Sequence, residues 1–223
     1  MNTRYATYGL VVLILAAGGY FTWNYFMGDD GGDLPGVEIT EYEGANLGSI
    51  DAFRENSIKG PQTVDVGDYT LSVTGLVENP RNYTYDEVLS TYEDHRKVVT
   101  INCVEGWSVK ILWDGVLVSD LLEDVGVSSD AQVVIFRAVD GYSTSVPVDY
   151  LIENDIMIAY GMNGVTLPPE RGFPFQLVAE SKWGYKWIKW ITSMEVSDDV
   201  EFEGFWERRG YSNVGDLDKE FFD

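Results

Sequence analysis

The chain is poor in the residues that build most catalytic and metal centres: its 223 residues include one cysteine and one histidine. Cys103 alone forms no internal disulfide, and Cys103 with His95 supplies too few nitrogen and sulfur ligands for a tetrahedral zinc site. A nucleophilic pair of these two side chains is disfavoured, because the intervening strand would span about 25 Å. A solvated loop between a helix and a strand is the expectation for His95. Three explanations for Cys103 therefore stay open: packing in the core, a reactive thiol, or a bond to a soft metal.

Basic residues are also scarce, with 15 Lys and Arg against 37 Asp and Glu, for a net charge of -22. This balance excludes nucleic acid as a partner, because phosphate contacts need clustered Lys and Arg. The acid excess has two explanations, solubility in a high-salt cell or a landing face for a basic partner protein, and its even spread favours solubility. With 45% hydrophobic residues the chain should fold despite its charge.

Charge is absent between Arg4 and Asp29, and Leu10 to Ala17 is continuously apolar. Residues 5–27 are long enough to cross a bilayer core of roughly 30 Å, so the pattern predicts a single-pass membrane anchor over residues 1–27. A cleaved secretory signal is the alternative. The positive charge before the span and the acidic residues after it place the body outside the cytoplasm.

The remainder divides into an acidic linker and wrapping segment, residues 28–65, and one globular domain, residues 66–223. A capping box at Thr84 predicts a short helix ending near Tyr92, and Ser119 is the expected cap of a second helix that Gly126 ends. Strands are predicted at 69–77, 97–101, 132–139, 142–147, 176–180 and 187–196, with turns at 140–141 and 163–164. The fold class is therefore α+β, mostly mixed sheet with short helices.

Two windows are cationic against this background. Residues 171–190 carry four cations against one carboxylate, and residues 96–110 carry three against one. If the windows meet, they form a cationic pocket beside the only thiol, suited to an anionic cofactor with a thiophilic metal. Salt bridges to nearby carboxylates are the alternative explanation.

An ordered series of motifs begins at Cys103-Val-Glu-Gly-Trp107, and the resemblance that the motifs carry covers roughly residues 68–215. It resembles the sulfite oxidase-like molybdopterin-binding domain family, and its first motif is similar to that of the periplasmic methionine sulfoxide reductase catalytic subunit. The later motifs are Asp140-Gly-Tyr-Ser-Thr-Ser-Val-Pro147, Tyr160-Gly-Met-Asn-Gly-Val-Thr-Leu-Pro-Pro169, Gly172-Phe-Pro174, Lys182-Trp-Gly-Tyr-Lys-Trp-Ile-Lys-Trp190 and Gly204-Phe-Trp-Glu-Arg-Arg-Gly-Tyr211.

The resemblance implies a mononuclear molybdenum–molybdopterin cofactor, with the Cys103 thiolate as the metal ligand. It implies that Cys103, Glu105 and Tyr142 form the catalytic group. The cofactor-binding residues that it implies are Asn102, Cys103, Trp107, Ser143, Thr144, Arg171, Lys182, Gly184, Tyr185, Lys186 and Lys189.

By the same resemblance the protein is a membrane-anchored oxidoreductase that transfers an oxygen atom on a sulfur or oxo substrate. A single histidine cannot supply two axial haem ligands, so electrons are exchanged with a separate cytochrome or membrane haem subunit, and the catalytic subunit is expected to be monomeric. Glu105 and Trp107 stand where sulfite oxidases carry a cation, which disfavours sulfite. Gln176 replaces a common arginine. A cofactor-free extracytoplasmic binding module on the same fold is the alternative function.

Overall fold

The structure, a computed structural model, describes residues 36–222. The predicted anchor over residues 1–27 and the start of the linker lie outside these residues. Among the described residues there is no helix long and apolar enough to cross a membrane.

Three short helices and twelve strands form the described fold. The helices are α1 (Tyr85–Thr91), α2 (Val118–Val125) and α3 (Val148–Glu153). The strands are β1 (Glu41–Tyr42), β2 (Ala45–Asn46), β3 (Leu71–Gly75), β4 (Arg81–Tyr83), β5 (His95–Asn102), β6 (Ser108–Leu117), β7 (Val133–Ala138), β8 (Ser143–Pro147), β9 (Met157–Met162), β10 (Val165–Thr166), β11 (Gln176–Val178) and β12 (Ile191–Ser197).

The strands pair into a small hairpin and two five-stranded sheets. The first sheet has the order β10-β9-β6-β5, with β11 also paired to β9, and the second has the order β4-β3-β12-β7-β8. β3 and β12 are parallel, and the other pairs are antiparallel. One buried cluster joins side chains of both sheets, such as Ile111 and Phe136, so the two sheets share a core. The predicted α+β class is confirmed.

Local chemistry accounts for several element boundaries. The Glu87 amide donates to the Thr84 hydroxyl (3.2 Å) and the Thr84 amide donates to the Glu87 carboxylate (2.8 Å), which confirms the capping box of α1. Asn163 and Gly164 both have positive φ, at 49° and 75°, as a two-residue hairpin turn between β9 and β10 requires.

The predicted cap of α2 is wrong. The helix begins at Val118 with Leu117 in the cap position, two residues earlier than a cap at Ser119 predicts, because β6 runs directly into it and the Val118 amide donates to the Ile156 carbonyl (2.8 Å). Its predicted end is confirmed, since Gly126 adopts the left-handed conformation at φ 68°. His95 also departs from expectation, because it is the first residue of β5 and not part of a loop.

The last strand is shorter than predicted and begins at Ile191. The residues before it are irregular, with a 3₁₀ turn over Gly184–Lys186 and a positive φ of 53° at Trp190. This irregular stretch lies beside Cys103, because Asn102 at the end of β5 forms a bridge with Trp183.

Candidate active site

Cys103 occupies the first position of a tight five-residue loop between β5 and β6. The Cys103 amide donates to the Trp107 carbonyl (2.9 Å), and the Gly106 amide donates to the Cys103 carbonyl (3.0 Å). Gly106 has a φ of 89°, a conformation that a side chain would strain. The loop is therefore rigid at the point where it presents the thiol, and Cys103 is only 8% exposed.

A cleft of about 470 Å³ opens at this loop. Its volume falls within the range of roughly 300–1,000 Å³ that is usual for ligand and cofactor sites. The sequence-predicted residues that line it are Cys103, Glu105, Trp107, Tyr142, Arg171, Gly184, Tyr185 and Lys189. Four segments that are distant in sequence therefore meet around the thiol.

A further wall of the cleft comes from residues 53–60, which we call the strap. The Phe53 ring lies 5.5 Å from the Trp107 ring and 3.8 Å from the Arg171 guanidinium carbon. Glu55 accepts an ion-paired hydrogen bond from Lys189 at 2.5 Å. The strap is thus fixed to both cations that the 171–190 window contributes to the cleft.

The thiol sits among polar groups of the strap and the loop. The Asn56 Nδ2 donates to the Cys103 sulfur at 3.5 Å. Burial raises the pKa of the Cys103 thiol, while the Glu105 backbone amide, Asn56 and Arg54 act in the opposite direction. Burial alone would keep the thiol protonated, but the Glu105 amide and Asn56 donate hydrogen bonds that favour the thiolate.

Glu105 is the meeting point of the polar groups at the cleft mouth. Its Oε2 accepts hydrogen bonds from Asn56 (3.3 Å) and from the Trp107 indole (3.4 Å), and it lies 3.7 Å from Arg54. Tyr142 lies deeper, where its hydroxyl donates to the Tyr185 carbonyl at 2.5 Å. Burial first, and then the Glu207 carboxylate, raises the pKa of Tyr142 well above its usual value.

The structure places five of the sequence-predicted cofactor residues outside the cleft lining. Lys186 and Glu207, both 1% exposed at their side chains, form an ion pair at 2.7 Å. Thr144 donates to the same carboxylate at 2.6 Å, and Lys182 pairs with Asp216. The remaining two are Ser143, which is buried, and Asn102, whose side chain donates to the Thr100 carbonyl.

The two cationic windows therefore meet only in part. Arg171 and Lys189 reach the cleft, whereas Lys182 and Lys186 carry carboxylate partners away from it. From the 96–110 window the cleft receives Cys103 and its loop, while Arg96 bonds the buried Asp114 at 2.5 Å. Burial lowers the pKa of Lys189, and the paired Glu55 opposes that change.

The strap residues Phe53 to Ser57 are absent from the sequence-predicted site. They fall in the acidic segment, where residue types alone indicate a linker. One signal marks them: Arg54 and Lys59 are the only cations between Arg4 and Arg81. Two cations close together in an otherwise acidic segment were therefore the one sequence feature that could have indicated a functional contact.

The chain was compared with known families and proteins. A model of the oxidoreductase molybdopterin binding domain matches residues 58–206. The uncharacterized oxidoreductase YuiH of Bacillus subtilis is 34% identical over 157 residues, covering 70% of this chain and 78% of that protein. The putative protein-methionine-sulfoxide reductase subunit YedZ1 of Azospira oryzae is 35% identical over 152 residues, covering 68% of this chain and 57% of that one.

More distant relatives agree with this result. The protein-methionine-sulfoxide reductase catalytic subunit MsrP of Xanthomonas axonopodis pv. citri is 27% identical over 178 residues, and the alignment spans 55% of its length. The sulfane dehydrogenase SoxCD of Paracoccus pantotrophus shares the fold, with a TM-score of 0.62 and 23% identity over 68% of this chain and 43% of that one. The chain thus spans little more than half of several relatives. It belongs to the oxidoreductase molybdopterin-binding domain family, and it is an oxidoreductase whose cofactor is molybdopterin.

Proposed function

We propose that the protein is a molybdenum–molybdopterin enzyme that transfers an oxygen atom on a sulfur-containing substrate, with Cys103 as the metal's protein ligand. The observation that carries this proposal is the placement of the single thiol, rigidly held and 8% exposed, in the wall of a cleft that also contains cations. Thiolates favour thiophilic metals, and guanidinium and ammonium groups favour phosphate.

The residues of the cleft fit such a group on a second ground. The Ser57 hydroxyl lines the cleft and is buried, with no hydrogen-bond partner among the described residues. A buried hydroxyl without a partner costs free energy, and a polar ligand in the cleft would supply one. Gly184 brings its backbone close to the Cys103 backbone, since a Cβ there would lie 3.6 Å from the Cys103 Cα.

Each cleft residue then has a physical task. When bound, the cofactor would supply oxygen-atom transfer coupled to electron exchange with a redox protein. Cys103 would hold the metal, and Arg171 and Lys189 would attract the anionic part of the cofactor. Glu105 and Trp107 shape the mouth. Tyr142 fixes the Gly184–Lys186 turn through its hydrogen bond to the Tyr185 carbonyl.

We propose a neutral sulfoxide as the substrate class. Aromatic side chains, Phe53, Trp107, Trp206 and Tyr211, make up much of the lining, and the Glu105 carboxylate accepts from the same Asn56 amide that donates to the thiol. An aromatic wall suits an apolar group bonded to sulfur, whereas a carboxylate at the mouth repels an anion such as sulfite. Two of the relatives carry methionine sulfoxide reduction in their names.

The test is metal analysis of the protein purified from its native host, followed by reduction of methionine sulfoxide with a reduced dye as electron donor. We expect one molybdenum per chain and no comparable rate with sulfite as a reductant. Cys103→Ser should abolish turnover with the fold retained, because the ligand is lost while a near-isosteric side chain remains. Native protein that is folded and free of molybdenum would contradict the enzyme proposal, and activity in Cys103→Ser would contradict the ligand assignment.

The cellular setting is a separate proposal. We propose that residues 1–27 hold the protein in the membrane with its catalytic domain outside the cytoplasm, and that a haem protein exchanges electrons with it. The support is the uncharged stretch between Arg4 and Asp29. Membrane fractionation of the full chain against a version starting at residue 28 tests the anchor. Release of the full chain by high salt alone would contradict it.

A further inference from the structure

The strap places one side chain directly on the proposed metal ligand. Asn56 Nδ2 lies 3.5 Å from the Cys103 sulfur and 3.3 Å from Glu105 Oε2. We propose that Asn56 is a positioning residue whose hydrogen bond to the Cys103 thiolate sets the reduction potential of the metal that this thiolate ligates. The inference rests on the proposed function.

The chemistry of the two acceptors fixes the orientation of the amide. The nitrogen of an asparagine carries two hydrogens and its oxygen carries none, so the nitrogen can serve two acceptors at once. Both neighbours, a thiolate and a carboxylate, accept hydrogen bonds and repel a carbonyl oxygen. The reverse orientation would place the amide oxygen against two anionic groups, so the donor is held on the sulfur.

The backbone that carries Asn56 is fixed on either side of the cleft. Phe53 lies between the Arg171 guanidinium and the Trp107 ring, and its carbonyl accepts from Arg171 at 2.8 Å. The next anchor is Glu55, ion-paired with Lys189 in a site where the two side chains are 23% and 15% exposed. Asn56 follows this anchor directly, so its amide is preorganised and loses little further freedom when it bonds the sulfur.

A hydrogen bond to a ligating sulfur has a defined electronic effect. It withdraws electron density from the thiolate, which weakens donation to the metal and stabilises the more electron-rich, reduced state. Removal of the bond should therefore move the midpoint potential to more negative values. A carboxylate in place of the amide should move it further, because it adds a negative charge beside the sulfur.

The experiment compares wild type with Asn56→Leu and Asn56→Asp, all loaded with the cofactor and poised at pH 8, where the new carboxylate is ionised. The readouts are molybdenum content, the midpoint potential by redox titration, and the absorption band of the thiolate–metal bond. We expect full metal content in all three proteins. The midpoint potential should be most positive in wild type, lower in Asn56→Leu and lowest in Asn56→Asp. The absorption band should shift to longer wavelength in both variants. Asn82→Leu is the matched control, because Asn82 is an exposed residue of β4 outside the cleft lining, and its potential should equal that of wild type.

The outcomes separate the two proposals. Molybdenum-loaded variants with the wild-type potential and band would overturn the role of Asn56 and leave the proposed function intact. Wild-type protein without molybdenum would overturn both. Because Asn56 is exposed and outside the core, its variants should match wild type in thermal unfolding. A potential that shifts equally in Asn82→Leu would show a general effect of the substitution and would also refute the assignment.

Discussion

Glu207→Gln tests whether Lys186 serves the stability of the fold or the cofactor. In the folded protein Lys186 and Glu207 form an ion pair at 2.7 Å with side chains 1% exposed, and the ammonium also donates to the Ser145 carbonyl at 3.1 Å. Removing one partner of a buried pair costs about 3–5 kcal/mol, because the other charge stays buried. Glutamine keeps an acceptor for Thr144, so we expect about 3 kcal/mol.

For a chain of this length such a loss lowers the melting temperature by about 10 °C. Urea unfolding followed by tryptophan fluorescence measures the free energy directly. The free energy of unfolding that Glu207→Gln loses relative to wild type should become smaller as the pH rises. Burial lowers the pKa of Lys186, and without Glu207 it falls further. The folded variant then binds fewer protons than the unfolded chain between the folded and the ordinary lysine pKa values, so its stability rises with pH across that interval.

Two comparisons sharpen this test. The double variant Lys186→Met, Glu207→Leu should recover part of the loss, because it removes both buried charges but leaves the Thr144 hydroxyl without its Glu207 acceptor. Glu195→Gln breaks a pair with Arg137 in which both side chains are more than 40% exposed, and should cost less than about 1 kcal/mol. A cost for Glu207→Gln as small as the surface control, with the same value at pH 6 and pH 9, would refute the structural role of Lys186. Lost molybdenum binding at unchanged stability would assign Lys186 to the cofactor.

Three further changes probe the fold that carries the site. Gly115→Ala should destabilise the protein by several kcal/mol in urea unfolding, because a Cβ there would lie 2.3 Å from the Ile158 carbonyl in the β6–β9 pair. Thr84→Ala should cost about 1 kcal/mol through loss of the α1 cap; equal stability would contradict the capping box. Asp124→Asn should cost about 1 kcal/mol at pH 7, because the carboxylate is one-third exposed and the asparagine oxygen still accepts hydrogen bonds. The hydrogen bond from the Tyr83 hydroxyl, first among several groups, holds the pKa of Asp124 below its usual value. Its contribution is therefore lost as the pH falls through the folded pKa, and the gap between Asp124→Asn and wild type should close in acid.

The sequence predicted the parts of the fold that depend on near neighbours. The capping box at Thr84, the left-handed end at Gly126 and the Asn163-Gly164 turn each follow from the chemistry of a few adjacent residues. The start of α2 escaped prediction, because the Val118 amide finds its acceptor at Ile156, far along the chain. Local patterns carry no information on such a contact.

Prediction of the site was limited in the same way. Cys103 and its loop were identifiable from a continuous motif, and Lys182, Lys186 and Lys189 from a second one. Whether a given lysine faces the cleft depends on which carboxylate folds onto it. Lys186 pairs with Glu207, which follows it in the sequence, whereas Lys189 pairs with Glu55, which lies far before it. Charge counting treats these two lysines alike, and only tertiary structure separates a buried structural pair from a cation in the cleft wall.

The strap connects these observations. Three residues within the four-residue stretch 53–56 contact the cleft: Glu55 accepts from the Lys189 ammonium, the Phe53 carbonyl accepts from Arg171, and Asn56 donates to the Cys103 sulfur. A displacement of this segment therefore alters two cleft cations and the thiol together. Glu55→Gln, which weakens the anchor without touching the sulfur, should consequently move the midpoint potential in the same direction as Asn56→Leu but by less, since the amide keeps its donor while losing its fixed position. A potential unchanged in Glu55→Gln and shifted in Asn56→Leu would mean that Phe53 alone holds the strap, and that the ion pair contributes only to the charge of the cleft.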